Sequence, residues 1–373
     1  MTINRVAVIA SAQTELRTNW SGAQHIDLIS AVVAHVFKGT GLTLDDVDFV
    51  IDSGSDVLDG RSISNCGFLG AMGAHHKEES RVEEDGLWAA LYGATKIASG
   101  AAELGLIIAY SKPSESDVNL FYSSQCEPFY QRPVGFDNLA ASGIQAQRYL
   151  GSHRLSARDL GKLIERRWTD AASRGQVEIE AIPSADAVLA SKNAASPLKS
   201  LMMARPVDGA VAVLLASESI ARRMVRTPVW ITGFGSSMDR HSFSTRKSGA
   251  LEACETAAQR AFAKAGWRDA GNASLAEVSA STAVSELMVL ESLGLAKPGM
   301  GIGLLEKGKT AVNLSGGALP ADPIMATGLV RLSEAMRQLA NPVEYGLTNA
   351  VSAIVHGAGG VGMQTHCVLT LEV

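Results

Sequence analysis

Charged residues are sparse in this sequence: Asp, Glu, Lys and Arg make up 19% of its 373 residues, against roughly 25% in a typical soluble protein. The formal charge is −5 and no block of Lys and Arg occurs, which argues against nucleic-acid binding. No apolar run approaches the ~18 residues that a membrane-spanning helix needs, and the first residues lack a signal-peptide layout. We therefore expect no membrane span and a cytoplasmic location.

Cysteine and aromatic residues are also scarce. The four cysteines show no CxxC pair and no zinc-type spacing to histidine, so we predict a reduced compartment and no metal site. Trp, Tyr and Phe together make up 5% of the chain, whereas glycine is abundant at 36 residues. This composition favours helices packed on a sheet over an aromatic-rich β-sandwich.

The pattern of apolar residues predicts the same order of strands and helices twice. In the first part it predicts strands at 6–10, 47–51, 104–109 and 210–216, and helices at 25–37 and 85–101. In the second part it predicts strands at 229–232, 275–279, 310–313, 350–355 and 364–371, and helices at 248–265, 283–293 and 323–339. We therefore predict a duplicated α/β chain: an N-terminal half at 1–225, with a loop or cap insertion at about 112–205, and a C-terminal half at 226–373.

Two aspartates stand where helices of small residues are predicted to begin. Asp85 precedes Gly86, and Asp322 precedes Pro323. Each carboxylate is a predicted N-cap that accepts a backbone N–H, and Pro323 would occupy the first helical position, where proline is tolerated.

Several short motifs resemble those of the thiolase superfamily. They are NLSGG at 313–317 followed by ATG at 326–328, RPVDGA at 205–210, RVE at 81–83 and HGAGGVG at 356–362. Their order along the chain is closest to that of the lipid-transfer (sterol-carrier-like) thiolases. The resemblance implies an α/β fold of two βαβαβαββ halves packed as five layers, α-β-α-β-α.

The family's catalytic motifs are changed in this sequence. The nucleophilic Cys that the resemblance places after RVE is replaced by Gly86 or Asp85. The family's Gly-His-Pro reads Ala-Asp-Pro at 321–323, its carbonyl-polarising tetrapeptide reads SAST at 279–282, and its acid/base Cys aligns with His356. Claisen chemistry through an acyl-cysteine is therefore not expected.

Four residues remain as catalytic candidates. His356 could move a proton near neutral pH, or be a buried histidine held by a carbonyl. Asp322 could be a general base or only an N-cap, and Asp85 could be a catalyst or a cap stabilised by the helix dipole. Tyr345 could donate its phenol to a developing oxyanion, as tyrosines do in retro-aldol relatives of the family, or be an ordinary half-buried tyrosine.

Glycine-rich turns are the predicted binding elements. Ser315, Gly316, Gly317, Gly359 and Gly360 are predicted to shape the acyl-CoA pocket, since glycine lets the backbone approach a ligand, although they could also be tight turns only. The HGAGGVG run lacks the strand and acidic residue of a dinucleotide fingerprint, so NAD is not expected. Coenzyme A, as a thioester substrate, is the cofactor that the resemblance implies.

Three functions remain open on the sequence alone. The first is retro-aldol cleavage of a 3-hydroxyacyl-CoA without a Cys nucleophile, which in relatives acts on sterol-like side chains with a small zinc-ribbon/OB-fold partner. The second is a non-catalytic acyl-CoA- or lipid-binding subunit of a heteromeric complex, and the third is a divergent acyltransferase. The resemblance also implies a homodimer that pairs through the edge of the N-terminal sheet.

Overall fold

The structure is a computed structural model that describes residues 4–247, 249–305 and 308–373. The strands of the first part are β1 (Val6–Gln13), β2 (Phe49–Ser53), β3 (Glu78–Val82), β4 (Leu104–Ser111), β5 (Asn193–Ala195), β6 (Leu198–Lys199) and β7 (Gly209–Ser217). The helices of the first part are α1 (His25–Val36), α2 (Asp56–Asp59), α3 (Leu69–Met72), α4 (Gly86–Ala98), α5 (Val118–Ser124), α6 (Asn138–Ser152), α7 (Ala157–Ala172), α8 (Ala185–Ala190) and α9 (Glu218–Met224).

The second part repeats a similar order. Its strands are β8 (Val229–Met238), β9 (Leu275–Val278), β10 (Ala311–Val312), β11 (Ser352–Gly359) and β12 (Thr365–Glu372). Its helices are α10 (Glu252–Ala265), α11 (Ala283–Ser292) and α12 (Thr327–Ala340).

The sheet order shows the duplication directly. Ten strands are hydrogen-bonded in the order β10-β9-β11-β12-β8-β1-β7-β4-β2-β3. The order β1-β7-β4-β2-β3 on one side matches β8-β12-β11-β9-β10 on the other, and the two sets meet where β1 pairs antiparallel with β8. Each five-stranded set has its own helices, as expected for two copies of one α/β unit.

Five layers pack around three large apolar cores, of which the middle one covers both faces of the central helical layer. Helices α4 and α12 contact each other and share one core with both sets of strands, so they form the middle layer. Helices α1 and α9 cover the outer face of the first set, and α10 and α11 cover that of the second. The predicted fold class, two similar halves in an α-β-α-β-α arrangement, is confirmed.

The segment predicted as an insertion is mostly helical. Helices α6, α7 and α8 pack onto the outer core of the second set of strands, although they lie in the first part of the chain. Half-buried and buried residues of α5 join Leu58 and Ile324 in a small separate cluster. The insertion therefore covers a space beside the N-termini of the two central helices.

Several predicted elements differ from the observed ones. The predicted strand 310–313 is shorter in the structure, where it is β10. The predicted helix 323–339 begins only at Thr327, because the backbone of Asp322 pairs like a strand. The Asp322 N–H donates to Arg205 O, and the Asp322 carbonyl accepts from Val207 N. Pro323 is therefore not at a helix N-terminus. Ser248, the predicted start of the helix that becomes α10, and residues 1–3 of the predicted N-terminal half lie outside the described residues.

Candidate active site

A cavity of about 480 Å³ opens where the N-termini of α4 and α12 meet the ends of β11 and β12. Carboxyl and hydroxyl groups contribute to its wall alongside apolar residues. The residues of this wall that bear on its chemistry are Glu84, Asp85, Tyr122, Ser279, Asp322, Ile324, Thr327, Gly359, Gly360 and Thr365.

Asp85 caps both central helices with one carboxylate. Its Oδ1 accepts from Leu87 N at 3.0 Å, at the start of α4, and its Oδ2 accepts from Gly328 N at 2.8 Å, at the start of α12. The predicted N-cap at Asp85 is confirmed, and the second cap is a contact across 243 residues that the sequence did not predict. Both helix dipoles therefore point their positive ends at this group.

Two glycines leave the space that the Asp85 carboxyl occupies. A Cβ at Gly328 would lie 2.0 Å from Asp85 Oδ1, and one at Gly357 would lie 2.8 Å from the same atom. Any larger residue at either position would displace the carboxyl. The glycines of ATG and HGAGGVG thus fit around an acidic side chain at the place where the resemblance expects a thiolate.

Burial outweighs these hydrogen bonds in the titration of Asp85. Removal from water raises its pKa to about 7, while the N–H donors of Gly328 and Leu87 act in the opposite direction. The neighbouring carboxyls of Glu84 and Asp322 raise the pKa further. At neutral pH this group is therefore divided between its acid and its base form.

Asp322 is the second carboxyl that faces the cavity. Its Oδ1 accepts from Thr327 Oγ1 at 2.5 Å, so its partner is a hydroxyl, and the predicted backbone N-cap at this residue is wrong. Desolvation raises its pKa to about 6, opposed by the Thr327 hydrogen bond and by Arg331. The structure thus brings Asp322 and Asp85 to one cavity, as two acids with different pKa values.

Three further polar groups of the cavity were not among the predicted catalytic residues, although the resemblance aligned Ser279 with the head of the carbonyl-polarising tetrapeptide. Glu84 has its pKa raised by burial and lies 3.4 Å from the Thr365 hydroxyl. Ser279 is buried, and its Oγ has no hydrogen-bond partner among the described residues. The Tyr122 phenol, whose pKa is raised by burial and by Asp322, comes from α5 of the insertion. The only signal for Tyr122 in the sequence was the aromatic content of that segment.

His356 does not line the cavity. Side chains of a strand alternate between its faces, and Gly357 is the residue of β11 whose Cβ position meets Asp85. His356 therefore points to the opposite face, where its Nε2 lies 2.9 Å from Nδ1 of His366. Burial, reinforced by His366 and opposed by the Ser279 backbone, holds the pKa of His356 well below its usual value, so the ring is neutral at pH 7.

Tyr345 and the NLSGG turn also lie outside the cavity wall. The Tyr345 ring stacks under the Arg174 guanidinium, 4.4 Å from its centroid. Ser315 donates to Glu277 within a buried network, and a Cβ at Gly316 would lie 2.7 Å from Arg167 O of α7. Of the predicted binding residues Ser315, Gly316, Gly317, Gly359 and Gly360, the structure brings only the last two to the cavity.

No cysteine lines this cavity in the part of the chain that the structure describes. Cys126, Cys254 and Cys367 are buried in apolar cores, and Cys66 is exposed. Burial raises the pKa of Cys254 and Cys367, which leaves both as thiols. Within residues 4–247, 249–305 and 308–373, no helix is long and apolar enough to span a membrane.

Comparison with known proteins gives a consistent family. Residues 235–372 match the family model described as "Thiolase C-terminal domain-like". The chain is 24% identical to an acetyl-CoA acetyltransferase of Methanocaldococcus jannaschii over 90% of its length and 89% of that protein. It is 26% identical to the acetyl-CoA acetyltransferase of Methanothermobacter thermautotrophicus over 62% of each chain, and 28% identical to sterol carrier protein 2 of Oryctolagus cuniculus over 49% of this chain.

The matched parts span less than two thirds of two of these relatives, 62% of the Methanothermobacter protein and 36% of the rabbit protein. Among solved structures, the "Ltp2-ChsH2(DUF35) aldolase" superimposes with a TM-score of 0.84 at 20% identity, over 100% of this chain and 99% of that chain. A monomeric SCP2-thiolase-like protein type 1 from Mycobacterium smegmatis gives 0.73 at 16% identity, over 98% and 77%. Together these matches support a thiolase-like protein: residues 235–372 resemble a thiolase C-terminal domain, parts of the chain are similar to acetyl-CoA acetyltransferases and to sterol carrier protein 2, and the fold is that of the two structural neighbours.

Proposed function

We propose that this protein is a carbon–carbon lyase that cleaves a 3-hydroxyacyl-CoA by a retro-aldol reaction. The observation that carries the proposal is the pair Asp85 and Asp322, two carboxyls that line one cavity and whose pKa values burial raises toward neutrality. Carboxyls that titrate near neutral pH can serve as the acid and the base of one reaction. The structural likeness to a protein named as an aldolase is compatible with this chemistry.

Asp322 is the base in this proposal, because at pH 7 a group with a pKa of about 6 is mostly ionised. It takes the proton of the 3-hydroxyl, the C2–C3 bond breaks, and C3 leaves as the carbonyl carbon of an aldehyde or ketone. The electron pair of that bond passes to the thioester as an enolate. The hydroxyls of Ser279 and Tyr122 are the donors for the enolate oxygen.

Asp85 supplies the second proton. Burial raises the pKa of Asp85 to about 7, so its acid form is present near neutral pH and can donate to C2 of the enolate and release the shortened acyl-CoA. The proton taken by Asp322 then restores Asp85, and no external acid, oxidant or reductant is consumed.

Two neighbouring spaces support a CoA thioester as the substrate. A more apolar cavity of about 280 Å³ shares Tyr122, Asp322 and Ile324 with the first and can receive an acyl group. A surface groove of about 740 Å³ is lined by Arg148, Arg246 and Lys247 and by aromatic rings, which suits a nucleotide with phosphates. The loop that contributes His241 to the cavity continues into this groove.

A partner protein belongs to the same proposal. The aldolase neighbour is named for two components, Ltp2 and ChsH2, the second of them marked DUF35. We infer that the zinc-ribbon/OB-fold partner implied by the sequence assists substrate binding here, so assays should be run with and without it.

The test is cleavage of a panel of 3-hydroxyacyl-CoA esters, followed by mass spectrometry of both products. We expect equimolar carbonyl product and shortened acyl-CoA, and a drop of at least about 100-fold in kcat for Asp322→Asn. Asp45→Asn, a change of the same type at an exposed residue, should be neutral. Product formation that survives Asp322→Asn would overturn the role of this base.

The pH profile gives an independent check. The kcat/KM should rise with pH through about 6, as Asp322 loses its proton, and fall above about 7, as Asp85 loses its own. Asp322→Asn should remove the rising limb. A rate that climbs steadily to high pH contradicts the assignment of Asp85 as the acid.

One observation favours the second candidate function, a non-catalytic acyl-CoA-binding subunit. Both oxygens of Asp85 are already used as helix caps, which is a structural task. Retained CoA binding without any product, in the presence of the partner, would decide for this alternative. A covalent acyl adduct on the protein would instead indicate the divergent acyltransferase.

A further inference from the structure

A second cluster of side chains, all of types that can bind a metal ion, lies on the face of β11 that points away from the cavity. Cys254 of α10, His356 of β11 and His366 of β12 are buried, and one donor atom from each lies within 4.8 Å of the others. Three different elements of the second half thus bring a sulfur and two imidazoles to one point. The proposed lyase reaction uses none of them.

The hydrogen bonds of the His356 and His366 rings determine which ring nitrogens carry a proton and which carry a lone pair. His366 donates from Nε2 to the Met363 carbonyl at 3.0 Å, which leaves its Nδ1 as an acceptor for Nε2–H of His356 at 2.9 Å. Nδ1 of His356 then carries a lone pair, and it has no partner among the described residues. The nitrogens that face each other across this short contact are Nε2 of His356 and Nδ1 of His366.

We propose that Cys254, His356 and His366 bind a single soft monovalent cation of the Cu(I) type, through the sulfur and one nitrogen of each ring. Thiolate and imidazole are ligands that copper accepts. The bond from His366 Nε2–H to a backbone carbonyl is the outer contact that ligand histidines in metal sites usually make.

Charge selects Cu(I) over Zn²⁺ at this place. With one thiolate and two neutral rings, Cu(I) gives a complex of net charge zero, whereas Zn²⁺ leaves one positive charge inside an apolar core. An uncompensated buried charge is strongly unfavourable in such a core. The Arg246 guanidinium, whose positive charge acts on His366, makes a positive site still less favourable.

The number of ligands points the same way. Structural zinc sites are almost always four-coordinate, whereas the described residues bring three ligands to this cluster. Binding releases the Cys254 thiol proton to solvent, moves the His356 ring proton from Nε2 to Nδ1, and replaces the N–H···N bond between the rings with two metal–nitrogen bonds. Two metal–nitrogen bonds of about 2.0 Å separate the nitrogens by about 3.4 Å, so the rings need to move apart by about half an ångström.

The experiment uses the full chain with the exposed Cys66 changed to Ser, which removes an adventitious thiol. Cu(I) is titrated against a colorimetric Cu(I) chelator, and metal content is measured by mass spectrometry. We expect one equivalent of copper to be held, and at least about a 100-fold loss of affinity in Cys254→Ser. Cys126→Ser, a buried cysteine outside the cluster, is the matched control and should keep the affinity.

X-ray absorption at the copper edge makes the test independent of the variants' folding. The proposal predicts one sulfur and two nitrogen neighbours around copper in the unsubstituted cluster. Copper with only oxygen neighbours, affinity unchanged by Cys254→Ser, or one equivalent of Zn²⁺ that Cu(I) does not displace would each overturn it. Failure of the retro-aldol assay would leave this result untouched.

Discussion

At the scale of single residues, Asp85 combines two properties that oppose each other. Two backbone N–H groups at helix N-termini stabilise its anion, yet burial destabilises the same anion. A thiolate at this position would be favoured by the same N–H groups. The carboxyl, with a pKa of about 7, is instead left able to give and take a proton near neutrality.

The position of the Asp85 carboxyl should depend on the absence of a side chain at Gly328. Gly328→Ala places a Cβ 2.0 Å from Asp85 Oδ1, so we expect the carboxyl to be displaced and the protein destabilised by about 1–3 kcal/mol. The measurement is the free energy of unfolding in urea. Gly151→Ala, another helical glycine whose Cβ meets nothing within 4 Å, should be neutral or slightly stabilising. Equal stability of the two variants would contradict the fit described for Asp85.

The sequence could predict local residue roles but not those set by distant contacts. Asp85 was found as an N-cap because a cap depends on the next few residues. Asp322 failed as a cap because its backbone is held by Arg205 and Val207, far away in sequence. The sequence predicted His356 at the catalytic site, but its side chain points away from the cavity. Neighbouring residues of a strand face opposite sides of the sheet, and it is the next residue, Gly357, that faces Asp85. Alignment to a motif does not determine which face of the sheet a side chain takes.

At the scale of elements, α7 of the insertion is tied to the second half by a buried ion pair. Arg167 of α7 donates from Nε to Glu286 of α11 at 2.8 Å, and from Nη1 to Val312 O of β10 at 2.9 Å. Both side chains are almost fully buried. These contacts hold α7 of the insertion to α11 and β10 of the second half.

Removing one partner of this pair should destabilise the protein strongly. Arg167→Met leaves Glu286 as an unpaired buried charge, at a cost of about 3–5 kcal/mol, measured by chemical unfolding. The double variant Arg167→Met with Glu286→Leu should recover most of this loss, since no buried charge remains. Arg166→Met, at the exposed neighbouring position, is the control. A double variant no more stable than the single one would show that packing, not charge, dominates here.

Elements were predicted better in type than in length. The strands β2, β4 and β7 were found from their apolar runs, because all of their side chains are buried between layers. Strand β8 extends to Met238, well beyond the predicted 229–232, because its partner β12 continues to pair with it through a stretch of Gly and Ser. That pairing partner is far away along the chain and is invisible to a local pattern.

At the scale of the whole molecule, the ten-stranded sheet ends at β3, which among the described residues pairs only with β2. An unpaired edge offers backbone N–H and C=O groups to another strand. The side chains of β3 are half-buried or exposed, with Glu78, Glu79 and Arg81 among five residues. The homodimer expected from the sequence would use this edge.

Antiparallel pairing of two β3 strands about a two-fold axis at Ser80 would place Glu79 of one copy across from Arg81 of the other, whose guanidinium also pairs with Asp52 and Asp59 of its own chain. We therefore expect sedimentation at micromolar concentration near twice the 39.1 kDa chain mass. Ser80→Lys brings two like charges together at the axis and should yield monomers, while Ser173→Lys, at an exposed residue just after α7, should not. A monomeric wild type would place the chain with the monomeric Mycobacterium smegmatis neighbour and leave the edge of β3 unpaired.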